Sequence, residues 1–385
     1  MRALFYSPKG AGHVNPTLPL ARGLVERGHD VTYTLTSEWK DRIEALGACY
    51  RNTGPNDAFT TADFNPGAPF YRQLLPATAA LLPRLLEEAR EVRPDVIVFD
   101  SCAPWGYAVS EVLGVPGICS VSTLVFDRDE VRQSCGAPAE RMDATQLAAI
   151  AEMERRWGLD FSDRDIGMFY GRENLVFSCR ELNPTSANLT WKFHFVGPTI
   201  ARGGDLGDLE SYARGRTRIY LATGSIIGAK DALGPSFYAP FIEAFGGRDG
   251  VELLMSAGAA VDSLSDSPAN VTVRRSVPQT AVLAHTDAFV SHMGANSMHE
   301  SLFHGVPLVC VPHWGDMIQN TARVVAQGAG VQLPLAEISV ARVAAEVERA
   351  STCRANAVRL AGSLEAGGGL ARALQIIEGA VARTA

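Results

Sequence analysis

The feature that most constrains the fold is an alternation of short apolar runs with helical patterns, which occurs in both halves of the chain. In the first half, apolar or β-branched runs occupy residues 3–6, 31–35 and 96–99, and an amphipathic helix is predicted over 141–170. Strands that alternate with helices are typical of a parallel sheet covered on both faces. The first half therefore predicts one α/β domain.

The alternation stops at residues 197–216, which contain glycine and charged residues but no periodic apolar face, as in a linker. Strand-like runs then resume at 219–222, 251–255, 271–273, 288–290 and 306–311. A chain of 385 residues exceeds the roughly 250–300 that one core usually reaches. We expect a domain at 1–200, a second at 217–367, and a C-terminal helix at 368–385 that packs back on the first.

Composition excludes several classes of protein. The formal net charge is −7 and there is no block of five lysines or arginines, which argues against nucleic-acid or anionic-membrane binding. No apolar run approaches the roughly 18 residues of a spanning helix, and the first residues enter a strand rather than a signal peptide, so a cytoplasmic location is predicted. The seven cysteines form no C-x-x-C pair, which favours buried reduced thiols over a metal site.

The segment 9–16, Lys-Gly-Ala-Gly-His-Val-Asn-Pro, follows the first strand-like run. Gly10 and Gly12 are followed by Asn15 where a G-x-G-x-x-G dinucleotide fingerprint needs its third glycine, so that interpretation is weak. His13 is predicted at the beginning of a helix, whose positive end disfavours imidazolium and leaves a ring able to accept a proton. The alternative is a histidine that only satisfies turn hydrogen bonds.

Asp100 ends the strand-like run at 96–99 and is expected at the same sheet edge as His13. A carboxylate beside a histidine can fix its tautomer and stabilise the imidazolium that forms on proton abstraction. An aspartate in this position alone would indicate a helix cap. Together with His13 it favours a catalytic pair.

Polar residues are densest after the run at 288–290. Gly294 would let the backbone approach a ligand, Asn296 and Ser297 offer donors, and the following helix supplies a favourable field for a diphosphate. Glu300 lies one turn later, where a carboxylate could accept ribose hydroxyls. Each residue alone would be read as a cap or a solvated turn, but their density favours a site.

The stretch 277–320 resembles the donor-binding box of inverting natural-product glycosyltransferases with the GT-B fold, which include plant secondary-metabolite enzymes and bacterial macrolide or antibiotic glycosyltransferases. The shared pattern is Pro-Gln, His-x-Gly-x-Asn-Ser-x-x-Glu, Gly-Val-Pro and Pro-x-x-x-Asp. Residues 10–16 resemble the family's Gly-His-x-Asn-Pro, Asp100 its strand-end aspartate, and 220–225 its Gly-Ser turn. The resemblance covers nearly the whole chain and implies an α/β fold of two doubly wound Rossmann-like domains facing across a cleft.

The resemblance implies transfer, with inversion, of a hexose or deoxyhexose from a nucleoside diphosphate sugar to a small hydrophobic acceptor. His13 would be the general base and Asp100 would orient it. The co-substrate would be a UDP- or TDP-sugar, with no metal and no tightly bound cofactor, and the protein is expected as a monomer or homodimer. The donor-binding residues implied are Gly224, Ser225, Val277, Gln279, His292, Gly294, Asn296, Ser297, Glu300 and Asp316.

Within this set, the resemblance places His292 on the diphosphate, Gln279 and Glu300 on the nucleoside, and Asp316 on the transferred sugar. Two positions depart from the family. Ser276 stands where a tryptophan usually stacks on the base, and Met317 stands where a glutamine usually contacts the sugar. A sugar with fewer hydroxyls would tolerate Met317 better, which gives the hypothesis of a deoxygenated hexose.

The acceptor is expected at the open face formed by residues 56–82 and 121–141. An apolar pocket could be lined there by Phe59, Phe64, Phe70, Trp105 and Phe126. The alternative for each is an ordinary core aromatic.

Two other functions share the donor box. One is a catalytically silent nucleotide-sugar-binding partner of another transferase, against which His13 and Asp100 count. The other is a GT-B-fold sugar-nucleotide epimerase or hydrolase, which would need more acidic groups than Asp100, Glu300 and Asp316.

Overall fold

A computed structural model describes most of the chain. The described residues are 1–53, 70–127, 129–130, 143–161, 168–214, 216–224, 233–264 and 266–383. They form two compact units, one of Met1–Thr199 with Ala366–Ala385 and one of Ile200–Glu365. Each unit contains one parallel sheet with helices on both faces, which confirms the predicted fold class of two doubly wound α/β domains.

The first unit is built on a seven-stranded parallel sheet in the order β3-β2-β1-β4-β5-β6-β7. Its strands are β1 (Arg2–Tyr6), β2 (Asp30–Leu35), β3 (Cys49–Asn52), β4 (Val96–Asp100), β5 (Gly117–Val121), β6 (Glu173–Val176) and β7 (Lys192–Phe195). Its helices are α1 (Ala11–Val14), α2 (Leu18–Glu26), α3 (Lys40–Glu44), α4 (Phe70–Val92), α5 (Pro104–Leu113) and α6 (Ala144–Trp157). The strand order reverses between β1 and β4, the point where open α/β sheets bind ligands.

Both faces of this sheet are buried. Leu4 and Phe99 pack on the face covered by α4 and α5, whereas Phe5 and Val98 pack on the opposite face with α2. Because successive side chains of a strand point to opposite faces, two covered faces make the strand sequences apolar throughout.

The C-terminal helix α14 (Gly369–Ala382) packs on α2 in this unit. A Cβ at Gly23 would lie 2.7 Å from Leu374 Cδ1, so glycine at this position lets the two helices approach without displacing the leucine side chain.

The second unit has a six-stranded parallel sheet in the order β10-β9-β8-β11-β12-β13. Its strands are β8 (Thr217–Ala222), β9 (Val251–Ser256), β10 (Val271–Arg274), β11 (Ala288–Ser291), β12 (Leu308–Cys310) and β13 (Gly330–Gln332). Its helices are α7 (Glu210–Ala213), α8 (Gly234–Phe245), α9 (Gln279–Leu283), α10 (Ala295–Phe303), α11 (Asp316–Ala326), α12 (Val340–Ser351) and α13 (Arg354–Ala366), the last of which reaches the boundary with the first unit. Here the strand order reverses between β8 and β11.

Two predicted segments differ in extent from those in the structure. The helix expected over 141–170 ends at Gly158, whose φ of 69° places it in the left-handed region, and Asp143 begins it with a capping box. The boundary between the two units lies in the predicted linker 197–216, between Thr199 and Ile200, but the later part of that segment belongs to the second unit, where it forms α7 and buries Leu209 and Tyr212.

In the described part of the chain, we find no helix with the length and apolar character needed to cross a membrane.

Candidate functional site

The carboxyl ends of β1 and β4 bring His13 and Asp100 together in the first unit. His13 lies in α1, just after β1, and Asp100 is the last residue of β4, the neighbouring strand. His13 Nδ1 and Asp100 Oδ1 are 2.9 Å apart, with the carboxylate fully buried and the imidazole side chain 21% exposed. The predicted pair therefore forms at the point where the strand order reverses.

Both oxygens of the Asp100 carboxylate are held by hydrogen bonds. The backbone N–H of Cys102 donates to Oδ1 at 2.8 Å, and the hydroxyl of Ser122 donates to Oδ2 at 2.9 Å. Ser122 Oγ also lies 3.0 Å from His13 Nδ1. A carboxylate facing Nδ1 favours the tautomer with hydrogen on that nitrogen, in which Nε2 carries the basic lone pair.

His13 lies in the short helix that begins the segment after β1. It is the third residue of α1, which has only four residues and therefore a single turn. This single turn precedes the longer helix α2. The contacts with Asp100 and Ser122 orient the ring.

One cluster among the described residues has metal-ligand spacing. The ligand atoms of His13, Asp100 and Cys102 all lie within 4.8 Å of one another. Because His13 Nδ1 and Asp100 Oδ1 are at hydrogen-bond distance, an ion bound to both atoms would have to replace that bond.

In the second unit, the ring of His292 lies between two glycines at the carboxyl ends of β8 and β11. A Cβ at Gly224 would be 2.3 Å from His292 Nε2, and a Cβ at Gly294 would be 2.5 Å from the same atom. Gly224 also has a φ of +76°, which side chains rarely adopt. This arrangement requires glycine at both positions and places the imidazole where the strand order reverses.

Near pH 7, the ring of His292 is neutral in the chain without a ligand. Burial, with a smaller contribution from the nearby His313, lowers the pKa of His292 to about 4. Among the described residues, its buried Nδ1 has no hydrogen-bond partner. The ring can therefore offer a ligand an N–H donor near pH 7, whereas a positive charge would require the ligand to raise the pKa.

A hydrogen-bond network joins three of the predicted donor residues. Gln279 Nε2 donates to Glu300 Oε2 at 2.6 Å and to Ser297 Oγ at 3.1 Å. The hydroxyl of Tyr220 donates to Gln279 Oε1 at 3.0 Å, which fixes the orientation of the amide. Burial raises the pKa of Glu300, and the bond from Gln279 opposes that shift.

Asn320, which is not among the predicted donor residues, connects the loops that follow β11 and β12 through hydrogen bonds. Asn320 Nδ2 donates to Met293 O at 2.9 Å and to Asp316 Oδ2 at 3.2 Å. Met293 has a φ of 71°, and its N–H donates to Ser291 Oγ at 3.1 Å. These bonds place Asp316, the first residue of α11, at the same sheet edge as the loop of His292.

Comparisons with known proteins agree with this geometry. Residues 263–361 match the family model described as UDP-glucoronosyl and UDP-glucosyl transferase. NDP-glycosyltransferase YjiC of Bacillus subtilis (strain 168) is 32% identical over 357 residues, which cover 89% of this chain and 86% of the relative. The chain belongs to the GT-B natural-product glycosyltransferases.

Two further similarities extend over this glycosyltransferase almost from end to end. Demethyllactenocin mycarosyltransferase of Streptomyces fradiae is 28% identical, with 97% of this chain and 85% of the relative covered. The crystal structure of the glycotransferase of kitacinnamycin is 27% identical, has a TM-score of 0.80 and covers 98% of each chain.

The remaining predicted donor residues of this glycosyltransferase occupy less informative places. Asn296 is half-buried in the first turn of α10, and Val277 is half-buried between β10 and α9. Ser225 lies outside the described residues. Of the two departures from the family pattern, Ser276 is exposed and Met317 is buried, with 7% of its surface accessible.

The predicted acceptor aromatics fall largely outside the described residues, as Phe59 and Phe64 do; the side chain of Phe70 is not described either. Trp105 is buried in the apolar core on the α4–α5 face of the sheet, which favours the alternative of a core aromatic. Phe126 is also buried.

Proposed function

We propose that this glycosyltransferase moves a hexose or deoxyhexose from a UDP- or TDP-sugar to a small hydrophobic natural product, with inversion at the anomeric carbon. The observation that carries the proposal is the 2.9 Å contact between His13 Nδ1 and Asp100 Oδ1. It gives the chain a general base, which a silent nucleotide-sugar-binding partner would not need.

The transfer is a single displacement. Nε2 of His13 takes the proton of an acceptor hydroxyl, and the oxygen uses the released electron pair to form a bond with the anomeric carbon. The bond from that carbon to the diphosphate oxygen breaks, and the nucleoside diphosphate leaves with its electron pair. Because the acceptor attacks from the face opposite the leaving group, the anomeric configuration inverts.

Asp100 acts on the His13 ring rather than on the substrate. Its buried carboxylate faces Nδ1, so it stabilises the positive charge that the imidazole acquires when it takes the acceptor proton. The proposed step uses one base and no carboxylate nucleophile, as expected for inversion by direct displacement rather than for a covalent glycosyl intermediate.

The donor binds at the edge formed by β8, β11 and β12. His292 and the first N–H groups of α10, which begins after Gly294, face the diphosphate and stabilise the charge of the leaving group without a metal ion. Gln279 and Glu300 bind the nucleoside, and Asp316 binds the sugar. The buried thioether of Met317 offers no hydrogen bond to that sugar, which supports a deoxyhexose over glucose.

The experiment is a mass-spectrometric screen of the purified protein with UDP- and TDP-linked hexoses and deoxyhexoses and with polycyclic and macrolide acceptors. We expect a product heavier by one sugar residue, formed equally in the presence of a metal chelator and inverted at the anomeric carbon by NMR. Preference for UDP-glucose over deoxysugar donors at saturating acceptor would contradict the proposal that the transferred sugar is a deoxyhexose.

The same screen separates the alternatives. Nucleotide binding without any product indicates a silent partner. Conversion of the sugar nucleotide in the absence of acceptor indicates an epimerase, and release of free sugar indicates a hydrolase.

A further inference from the structure

We propose that Ser122 is a positioning residue for the transfer step, which holds the Asp100 carboxylate and the His13 ring in the arrangement that keeps hydrogen on Nδ1. This inference rests on the proposed role of His13 as the base. It adds a third side chain, absent from the sequence-based pair, at the edge where the acceptor loses its proton.

Ser122 reaches the pair because three adjacent strands end together. His13 follows β1, Asp100 ends β4, and Ser122 directly follows β5, in a sheet whose central order is β1-β4-β5. Asp100 pairs in register with Ser120, so the residue two positions later extends beyond the sheet edge, level with the carboxylate. The hydroxyl of Ser122 is 2.9 Å from Asp100 Oδ2 and 3.0 Å from His13 Nδ1.

The contacts close into a ring of three side chains, in which one arrangement of protons is favoured. The single hydroxyl hydrogen of Ser122 goes to Oδ2, because a carboxylate is the stronger acceptor. The Ser122 oxygen then presents a lone pair to His13 Nδ1, as Asp100 Oδ1 does. Both neighbours accept, so Nδ1 must donate, and the basic lone pair is on Nε2.

Ser122 also fixes the rotation of the carboxylate. Oδ1 is held by the Cys102 N–H at 2.8 Å, and Ser122 holds the other oxygen, so the group cannot turn about its Cβ–Cγ bond without breaking one of them. Asp100 is fully buried and Ser122 is 3% exposed. In such surroundings water replaces a lost hydrogen bond poorly, so loss of the hydroxyl would loosen the carboxylate and, through it, the ring.

The chain provides a matched control two residues earlier. Ser120 is fully buried in β5, and its hydroxyl has no hydrogen-bond partner among the described residues. Ser120→Ala and Ser122→Ala thus remove the same group from the same segment, but only the second removes bonds to the Asp100–His13 pair.

We expect Ser122→Ala to lower kcat about tenfold to a hundredfold, the loss that follows from one hydrogen bond to a charged group, with the KM for the nucleotide sugar within about twofold of wild type. Ser120→Ala should keep kcat within about twofold. Ser122→Thr, which retains a hydroxyl, should recover most of the activity. Equal losses in Ser122→Thr and Ser122→Ala would overturn the assignment, since the hydroxyl would not be the cause.

The readout specific to positioning is the tautomer of the ring. In protein labelled with ¹⁵N-histidine, the His13 signals, assigned by their disappearance in His13→Ala, should report hydrogen on Nδ1 in wild type and Ser120→Ala, and a mixture of tautomers in Ser122→Ala. An unchanged tautomer with wild-type kcat in Ser122→Ala would overturn the proposal. If His13→Ala itself retains transfer, the proposed function is contradicted. If His13→Ala loses transfer but Ser122→Ala changes neither kcat nor the tautomer, the proposed function stands and the positioning role of Ser122 is contradicted.

Discussion

The two histidines at the sheet edges, His13 in the first unit and His292 in the second, differ in how far their surroundings are held by hydrogen bonds. At the edge of β1, β4 and β5, both oxygens of Asp100 accept hydrogen bonds, and His13 and Ser122 complete the cluster. At the edge of β11 and β12, His292 Nδ1, His313 Nε2 and Asn320 Oδ1 are buried with no partner in the described part of the chain.

The difference corresponds to two functions, acid–base catalysis and donor binding. A general base is effective when its orientation and tautomer are set before the substrate arrives, and the first edge is built in that way. Buried polar atoms without partners are costly, and a ligand rich in phosphate and hydroxyl oxygens can offset that cost by bonding to them. We infer that the acid–base geometry around His13 is preassembled, whereas the ring of His292 becomes fully partnered only when the donor binds.

The largest effect that sharpens this comparison is expected from Asp100→Asn. The amide can present its NH₂ group to His13 Nδ1 and thereby favour the wrong tautomer, so kcat should fall by about a hundredfold to a thousandfold while nucleotide binding is retained. Steady-state kinetics and calorimetric titration with the nucleotide measure the two quantities.

Asp95→Asn is the matched control for this change, since Asp95 lies just before the other end of β4 and pairs with Arg2 at 2.8 Å. It should leave kcat unchanged. If Asp100→Asn turns over like Asp95→Asn, the preassembled cluster is not needed for transfer.

The next largest effect is expected from Gly224, one of the two glycines that flank the ring of His292. Gly224→Ala would place a Cβ 2.3 Å from Nε2, so the imidazole must move and the Kd for the nucleoside diphosphate should rise about tenfold or more. Gly234→Ala provides the control, because Gly234 also has a positive φ, of +62°, but no atom lies within 4 Å of its Cβ position. Both variants place a side chain at a positive φ, so equal nucleotide affinity in both would show that the ring of His292 between the two glycines does not bind the donor.

A smaller effect is expected from pH. The pKa of His292 is lowered to about 4 in the free chain, and a diphosphate beside the ring would raise it. At a pH between these two pKa values, His292 is protonated in the complex but not in the free chain, so binding should take up protons. The affinity for the nucleoside diphosphate should therefore increase on the order of threefold from pH 7 to pH 6. Calorimetry in two buffers of different ionisation enthalpy measures the uptake.

His299→Gln is the control for the pH experiment. Its pKa is likewise lowered to about 4 by burial, but its ring bonds to the backbone of Ala295 and lies in the interior of the unit. Proton uptake should persist in this variant and disappear in His292→Gln. Uptake that survives in His292→Gln would assign it to another group.

Stability should follow the opposite pH trend. Both histidines have native pKa values of about 4, below the ordinary 6.5, so above pH 6.5 they are neutral in both states. As the pH falls from about 6.5 to 4, the unfolded chain binds protons that the native chain does not, and the free energy of unfolding decreases.

The pairing of His13 with Asp100 could be predicted because residues that follow parallel strands meet at one edge, whatever the order of the strands. Ser122 could not, because its relevance depends on β5 being the neighbour of β4 on the side away from β1, and a strand-end serine carries no signal of its own. His313 and Asn320 were visible in the motif, but the burial of His313 Nε2 and Asn320 Oδ1 without a partner among the described residues depends on tertiary packing.

The most direct test of the account is to measure transfer and nucleotide binding together in His13→Ala, with His29→Ala, a histidine bonded to Glu378 on the same unit, as control. The account predicts that His13→Ala lowers kcat by about a thousandfold or more while the Kd for the nucleoside diphosphate stays within about threefold of wild type. Transfer at the rate of His29→Ala, or loss of nucleotide binding together with transfer, would contradict it.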